Sequence, residues 1–351
     1  MNKNVRVGII GYGFAAKTFH APVITSVEGL ELAAIVQRSG NSCLNDYPSI
    51  KALQKVDELY HDPDIDLVVI TTPSTNHYSF AKDALMAGKH VVVEKPFTTT
   101  REEADELISI AKEKGLVLSV FHNRRWDGDY LTLQEVVQRN LVGPITEAEL
   151  IWDRYSPIAQ PGRWRDAGGE GSGTFYDLGV HLIDQALTLF GLPNSIQADL
   201  KVQREEAQAS DYFDVTLHYD SGLSVRLKST LLSVDPAPRY RLYGMNGSYI
   251  KYGEDPQEDA LKAGGVPGTP HWGEEPAERW GTLNTTLDGL HFTGRIKTIP
   301  GSYDSYYRNV YEAITGVSEL AVKAEQARMA IRVIELGMES HAEQRRVPFT
   351  P

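Results

Sequence analysis

The sequence predicts an α/β plus α+β protein. An N-terminal Rossmann domain with a doubly wound parallel sheet is expected over residues 1–121. An α+β domain with a large, mostly antiparallel open sheet is expected over residues 122–351. Three observations predict this. Apolar, β-branched runs recur in the first third at 5–10, 30–36, 64–70 and 91–93, with helix-like segments between them, as in buried parallel strands. The first of these runs into Gly11-Tyr12-Gly13-Phe14-Ala15-Ala16, a glycine turn in its required place between strand and helix. After Phe121 the strands alternate apolar and polar residues, the pattern of half-exposed antiparallel sheet.

Each early element has a local reason. Gly11 permits the tight turn, Gly13 lets the backbone approach a pyrophosphate, and Ala16 keeps the next helix close to the sheet. The N–H groups at that helix start then face the phosphates, so Gly11, Tyr12, Gly13, Phe14 and Ala15 are expected to hold a dinucleotide. Pro22 is expected to end or kink the helix early. The strand at 30–36 ends in Gln37-Arg38-Ser39-Gly40, where NAD-specific sites carry an Asp or Glu for the ribose 2′-hydroxyl. Without that carboxylate, Arg38 and Ser39 can bind a 2′-phosphate, and NADP(H) is the preferred cofactor. If Arg38 merely faces solvent, NAD(H) enters as well.

The strand at 64–70 leads into Thr71-Thr72-Pro73-Ser74-Thr75-Asn76-His77 on the same carboxyl edge, which places Thr72, Pro73 and His77 beside the nicotinamide. A helix at 78–87 is expected to close on a left-handed Gly88. Val91-Val92-Val93-Glu94-Lys95-Pro96 then puts Glu94 and Lys95 at a strand's carboxyl end, where ligands of open α/β sheets sit. Pro96 restricts the Lys95 backbone to extended conformations. Taken alone, the run fits a surface lysine closing a strand equally well. A helix at 101–114 ending at Gly115 and a strand at 116–121 complete the domain.

In the second domain, strands are expected at 196–203, 212–220 and 223–230, the last two joined at Asp220-Ser221-Gly222. Those at 239–243 and 248–252 flank Asn246-Gly247, a hairpin-turn signal. Residues 264–276, rich in Gly and Pro, form a long loop, and 324–341 a final amphipathic helix able to pack back on the first domain. A flexible loop containing Gly168-Gly169 and Gly171-Ser172-Gly173 precedes a helix whose apolar stripe is Val180, Ile183, Leu187 and Phe190. Asp177, His181 and Asp184 recur at i, i+4 and i+7 on one side of it. His181 has the chemistry of a general base near neutral pH, though a satisfied, partly buried ring fits too, and Asp177 could be an N-cap. No metal is expected, since further ligands of the H-E-x-x-H kind are missing. Asn123, Arg124 and Trp126 after the strand at 116–121, and Arg163 and Trp164 before the glycine loop, offer planar donors and apolar faces for substrate. Each could equally be a surface arginine or a core tryptophan.

The chain has 351 residues with 41% hydrophobic and 23% charged residues, ordinary for a globular protein of two cores. A net charge of -12 argues against nucleic acid as a partner. No apolar run approaches the roughly 18 residues of a membrane helix, and the strand at 5–10 leaves no room for a signal peptide. Cys43 alone allows neither an intrachain disulfide nor a cysteine-rich zinc site, so a cytoplasmic location is expected. Tyr47-x-x-x-Lys51 and Tyr78-x-x-x-Lys82 mimic the Tyr–Lys pair of short-chain dehydrogenases but fall before the sheet is complete.

Gly11-Tyr12-Gly13, Glu94-Lys95-Pro96, Gly168-Gly169 and Asp177-x-x-x-His181 together resemble the glucose-fructose oxidoreductase/inositol dehydrogenase (Gfo/Idh/MocA) family over essentially the whole chain. Arg6-Val7-Gly8, the run from Lys17 to Pro22, the run from Phe121 to Trp126 and Asp177-Leu178 are similar to its bacterial NADP-dependent scyllo-inositol dehydrogenases. The resemblance implies a catalytic lysine, aspartate and histidine at Lys95, Asp177 and His181, and homodimers or homotetramers built through the second domain's sheet. It also implies hydride transfer between a cyclic polyol, scyllo-inositol giving scyllo-inosose, and the nicotinamide. A sugar-aldose or dihydrodiol dehydrogenase on the same scaffold is the alternative enzyme. A dinucleotide sensor without catalysis is the alternative of another class.

Overall fold

A computed structural model describes residues 4–160, 162, 166–169 and 171–351. The chain forms two compact units. In the first, β1 (Val5–Ile10), β2 (Leu30–Val36), β3 (Lys51–Leu53), β4 (Leu67–Ile70), β5 (His90–Val93) and β6 (Leu118–Val120) form one sheet in the order β3-β2-β1-β4-β5-β6. Every pair is parallel. The order reverses between β1 and β4, and that switch point is where the carboxyl ends of such sheets take ligands. Helices α1 (Ala21–Ser26), α2 (Cys43–Asp46), α3 (Val56–Tyr60), α4 (His77–Met86) and α5 (Arg101–Lys114) connect the strands. The apolar runs are buried strands as expected, with β4 fully buried along its length. At the start of α5, Thr100 and Glu103 form a capping box, and Gly115 closes the helix in the left-handed region.

The helix after the glycine turn differs from expectation. Pro22 does not end it. Ala16–His20 form a π turn, and α1 begins at Ala21 with Pro22 in its first turn, where a missing N–H is harmless.

The expected division at 121/122 also moves. The first unit runs to Trp126 and takes in residues 257–272 and 302–328 as well. The cause is a shared buried core: Tyr303, the N-cap of the helix Asp304–Ile314, with Tyr306, Tyr307 and Val310 of that helix and Leu261, packs with Val7, Ile9, Val69 and Phe121. The terminal helix Ala324–Glu343 is divided, its residues to 328 belonging to the first unit and the rest to the second.

The second unit holds β7 (Ile145–Ile151), β8 (Ser195–Lys201), β9 (Tyr212–His218), β10 (Ser224–Thr230), β11 (Tyr240–Gly244), β12 (Gly247–Lys251), β13 (Gly281–Leu287), β14 (Leu290–Ile296) and β15 (Val347–Pro348). Their order is β14-β13-β12-β11-β7-β10-β9-β8-β15, antiparallel except where β7 lies beside β10. Phe213, Val215, Leu217, Val225 and Leu227 face a core shared with α6 (Gly128–Gln138) and α7 (Val180–Phe190). Alternate residues carry charge on the other face, as where Arg226 Nε donates to Asp214 Oδ1 at 2.9 Å. The β11–β12 hairpin turns at Met245 and Asn246, one residue earlier than expected, with Gly247 already in the strand. Gly247 is needed there for close approach, since a Cβ would lie 2.1 Å from the Asn284 carbonyl oxygen of β13.

Candidate active site

In the first unit, the turn after β1 has the geometry of a phosphate cradle. Gly11 sits at φ +97°, and its N–H donates to the Val36 carbonyl at 3.0 Å. The Thr71 hydroxyl at the end of β4 donates to the Ile10 carbonyl at 3.0 Å, bracing the turn from beneath. A Cβ at Gly11 would press on Thr71, whereas one at Gly13 meets nothing within 4 Å. The backbone at Gly13 is therefore open to a ligand, which fits the expected dinucleotide. Tyr12 donates its hydroxyl to Asp46 Oδ2 at 2.7 Å, with Lys17 Nζ 4.9 Å from its ring centre. Phe14 is exposed and edge-on to Phe19, and Ala15 is half-buried.

Beyond β2, Gln37 shapes the next loop. Its amide donates to Ser42 Oγ at 3.0 Å, and its oxygen accepts the Cys43 N–H at 3.2 Å. Arg38 and Ser39 lie exposed on that braced loop, with no carboxylate at the strand's end.

At the next strand ends, Thr72 is half-buried, Pro73 is exposed, and His77 and Glu94, both expected to contact the cofactor, are buried. His77 Nδ1 lies 2.8 Å from the Pro96 carbonyl and Nε2 lies 2.9 Å from that of Thr72. Both ring nitrogens are thus engaged by backbone, and burial holds the imidazole below its ordinary pKa against the pull of those carbonyls and Glu94. Glu94 is buried, with Oε1 2.9 Å from His20 Nε2 and Oε2 accepting the Lys95 N–H at 2.8 Å. Burial pushes its carboxyl up, yet the hydrogen bond and charge of His20, helped by Lys95, outweigh this and hold it below the usual carboxylate range. Their side chains brace the turn that bears Lys95. Lys95 itself is half-buried, and its bond to Pro96 is cis.

Arg124 is likewise claimed internally. Its Nη1 donates to Tyr303 Oη at 2.7 Å, and its Nη2 pairs with Glu258, residues far along the chain that sequence reasoning had no way to connect. Burial opposes ionisation of Glu258, but Arg124 and Lys262 bring its pKa down to about 2. Both terminal nitrogens of Arg124 are therefore engaged within the first unit. Asn123 is buried, and Trp126 packs edge-on against Tyr306 with ring centres 5.7 Å apart.

In the second unit, Phe175–Gly179 form another π turn, and α7 follows from Val180. Asp177 lies in the π turn, while His181 and Asp184 lie in α7; all three are buried. Residues on either side of the glycine loop are tied to the segment 204–211. Arg204 Nε donates to Asp211 Oδ2 at 3.0 Å and its Nη2 pairs with Asp166, while the Thr174 N–H donates to the Ser210 carbonyl at 2.6 Å. Arg163 and Trp164 lie outside the described residues. Sequence reasoning missed Trp152, whose ring centre lies 5.6 Å from that of His181 and which carries the Arg239 guanidinium at 4.2 Å. It stands just past β7, a strand the polar start of 145–147 conceals.

Comparison with known proteins agrees with this architecture. The model of an oxidoreductase family's NAD-binding Rossmann fold matches residues 5–122, and that of its C-terminal alpha/beta domain matches residues 134–349. The uncharacterized oxidoreductase YdgJ of Escherichia coli is 45% identical over 97% of this chain and 97% of its own. The scyllo-inositol 2-dehydrogenase (NADP(+)) IolW of Bacillus subtilis is 40% identical over 98% of this chain and 95% of its own. Among solved structures, the oxidoreductase yvaA of Bacillus subtilis superposes with a TM-score of 0.96 at 39% identity, covering 100% of this chain and 99% of that one. No helix among the described residues is long and apolar enough to cross a membrane.

Proposed function

The chain belongs to the Gfo/Idh/MocA oxidoreductase family, and from that premise we propose that it is an NADP-dependent dehydrogenase of a cyclic polyol, oxidising scyllo-inositol to scyllo-inosose. The substrate reading rests on the 40% identity to a scyllo-inositol 2-dehydrogenase across nearly the full length of both chains. The NADP preference is supported by Arg38 and Ser39, exposed where an NAD-specific site would carry a carboxylate. Gly11, Tyr12, Gly13, Phe14 and Ala15 would hold the pyrophosphate side of the dinucleotide, and Thr72 and Pro73 would lie toward its nicotinamide. When bound, the nicotinamide supplies the acceptor for a hydride. His181 would take the hydroxyl proton as the carbinol carbon gives up that hydride, so two electrons and two protons leave the substrate in all, one proton to the imidazole and the rest as hydride. Lys95 donates to the same oxygen and stabilises its developing negative charge, and Asp177 orients the polyol. The protein works in the cytoplasm as a homodimer or homotetramer built through the open face of the nine-stranded sheet.

The test is NADPH formation across inositol isomers, glucose, xylose and diols, with NAD run in parallel. Turnover confined to scyllo-inositol and close isomers supports the reading. Turnover of glucose or xylose alone makes it a sugar dehydrogenase. Tight NADPH binding with no turnover would make it a sensor.

A further inference from the structure

His20, Glu94 and Tyr307 form a buried polar chain that the hydride-transfer chemistry does not itself use. His20 is fully buried, its ring 4.1 Å from that of Phe121. Its Nδ1 lies 2.5 Å from Tyr307 Oη and its Nε2 lies 2.9 Å from Glu94 Oε1. An ionised carboxylate only accepts, so Nε2 carries a proton toward Glu94, while Nδ1 shares a hydrogen bond with the Tyr307 hydroxyl. Glu94 uses its second oxygen to accept the Lys95 N–H at 2.8 Å. That N–H lies past the end of β5, beyond the reach of the strand ladder.

We infer that His20 and Glu94 are positioning residues for Lys95: the pair, anchored on Tyr307, holds the lysine's backbone and ties it to the helix that follows the glycine turn. Three features carry this. A buried carboxylate is unfavourable unless paired and hydrogen-bonded, and an apolar side chain would fill the same space without that cost. Glu94 is instead paired on one oxygen and uses the other on the residue next to it. The far side of the lysine is held in the same manner, by His77 on the Pro96 carbonyl. Finally, His20 is the last residue of the π turn, whose Lys17 N–H still bonds back to the Gly13 carbonyl at 3.1 Å. The turn that would cradle phosphate and the turn that bears Lys95 are thereby joined through side chains.

The inference rests on the dehydrogenase reading of Lys95, and the full chain provides two independent readouts. With scyllo-inositol and NADP, Glu94→Ala and His20→Phe should lower kcat about 10- to 100-fold, the scale of a misplaced catalytic group, with KM and NADPH affinity within about threefold of the parent. Glu94→Gln keeps an acceptor for the Lys95 N–H and should recover kcat to within about fivefold. The second readout needs no turnover. Hydrogen exchange at the Lys95 amide should quicken at least about tenfold in Glu94→Ala while amides of β4 and β5 keep their protection. Tyr307→Phe, the mildest change, should give a smaller shift of the same sign. Equal losses in Glu94→Gln and Glu94→Ala, a loss lying wholly in NADPH affinity, or an unchanged Lys95 exchange rate would overturn the brace. Should the parent oxidise no polyol, the dehydrogenase reading fails alone, and the exchange rate still decides the brace.

Discussion

One methyl group placed at Gly13 should separate cofactor binding from folding, because its neighbour Gly11 provides an internal contrast. A Cβ at Gly13 meets no protein atom within 4 Å, and the residue is not in the left-handed region. Alanine there removes unfolded-state freedom without native strain, which favours the fold by about 0.4–1 kcal/mol. The same methyl projects where a pyrophosphate would approach the backbone. Overpacking of that kind costs roughly 1–3 kcal/mol, or roughly 5- to 150-fold in Kd. Gly11 behaves oppositely: at φ +97°, with Thr71 Oγ1 3.1 Å from the added carbon, alanine strains the fold itself. That conformation costs an L-residue about 1–2 kcal/mol. NADPH titration by fluorescence and urea midpoints of the cofactor-free variants measure both quantities. Gly13→Ala should bind NADPH weakly from an unimpaired fold, and Gly11→Ala should lose stability. Parental NADPH affinity in Gly13→Ala would refute the cradle.

Lys95→Ala and His181→Ala should each lower polyol turnover at least about a hundredfold with NADPH affinity nearly intact; parental turnover in either removes that residue from the chemistry. Arg38→Ala should weaken NADP binding far more than NAD binding, and equal losses in the two titrations would dismiss the 2′-phosphate contact. Asp129 should set a pH dependence of stability. Burial raises its pKa from 3.8 to about 6, with Arg239 and Lys251 opposing and Asp255 and Glu275 adding. The native state therefore holds that proton more tightly than the unfolded chain, and this stabilisation is lost as pH climbs from about 4 to about 6, roughly 3 kcal/mol in all. Asp129→Asn should gain on the parent across that window in urea midpoints, whereas a pH-independent difference between the two would contradict it.

The parallel sheet was readable because strands buried on both faces must be apolar, as β4 is throughout and β5 is from Val91 on. β3 escaped notice since Lys51–Leu53 lies at the sheet's edge with an exposed lysine. The β13–β14 hairpin was hidden for a related reason: β14 is largely exposed, so no buried face marks its register. Lys95, Asp177 and His181 stood out through chemistry and spacing. What surrounds them did not, because His20 with Tyr307, and Arg124 with Glu258, are pairs separated by more than a hundred residues. Residue type suggested that Arg124 and His77 reach outward, and only packing reveals that neighbours already hold them. The two π turns were also invisible, for composition does not distinguish them from ordinary helix.

Those π turns also bear on how chain length can vary. A π turn is a helix with one residue more than its ladder needs. Removal of a single residue within 175–179 would let the ladder close into regular α-helix, so α7 would persist and the fold would survive. Side chains before the deletion, however, would rotate by about 100° relative to those after it. For a deletion at 178 or 179, Asp177 would move from i, i+4 to i, i+3 relative to His181, and its side chain would turn by about 100° about the helix axis. The spare residue works as a phase-setter, fixing the angle between the side chains that precede it and those of α7.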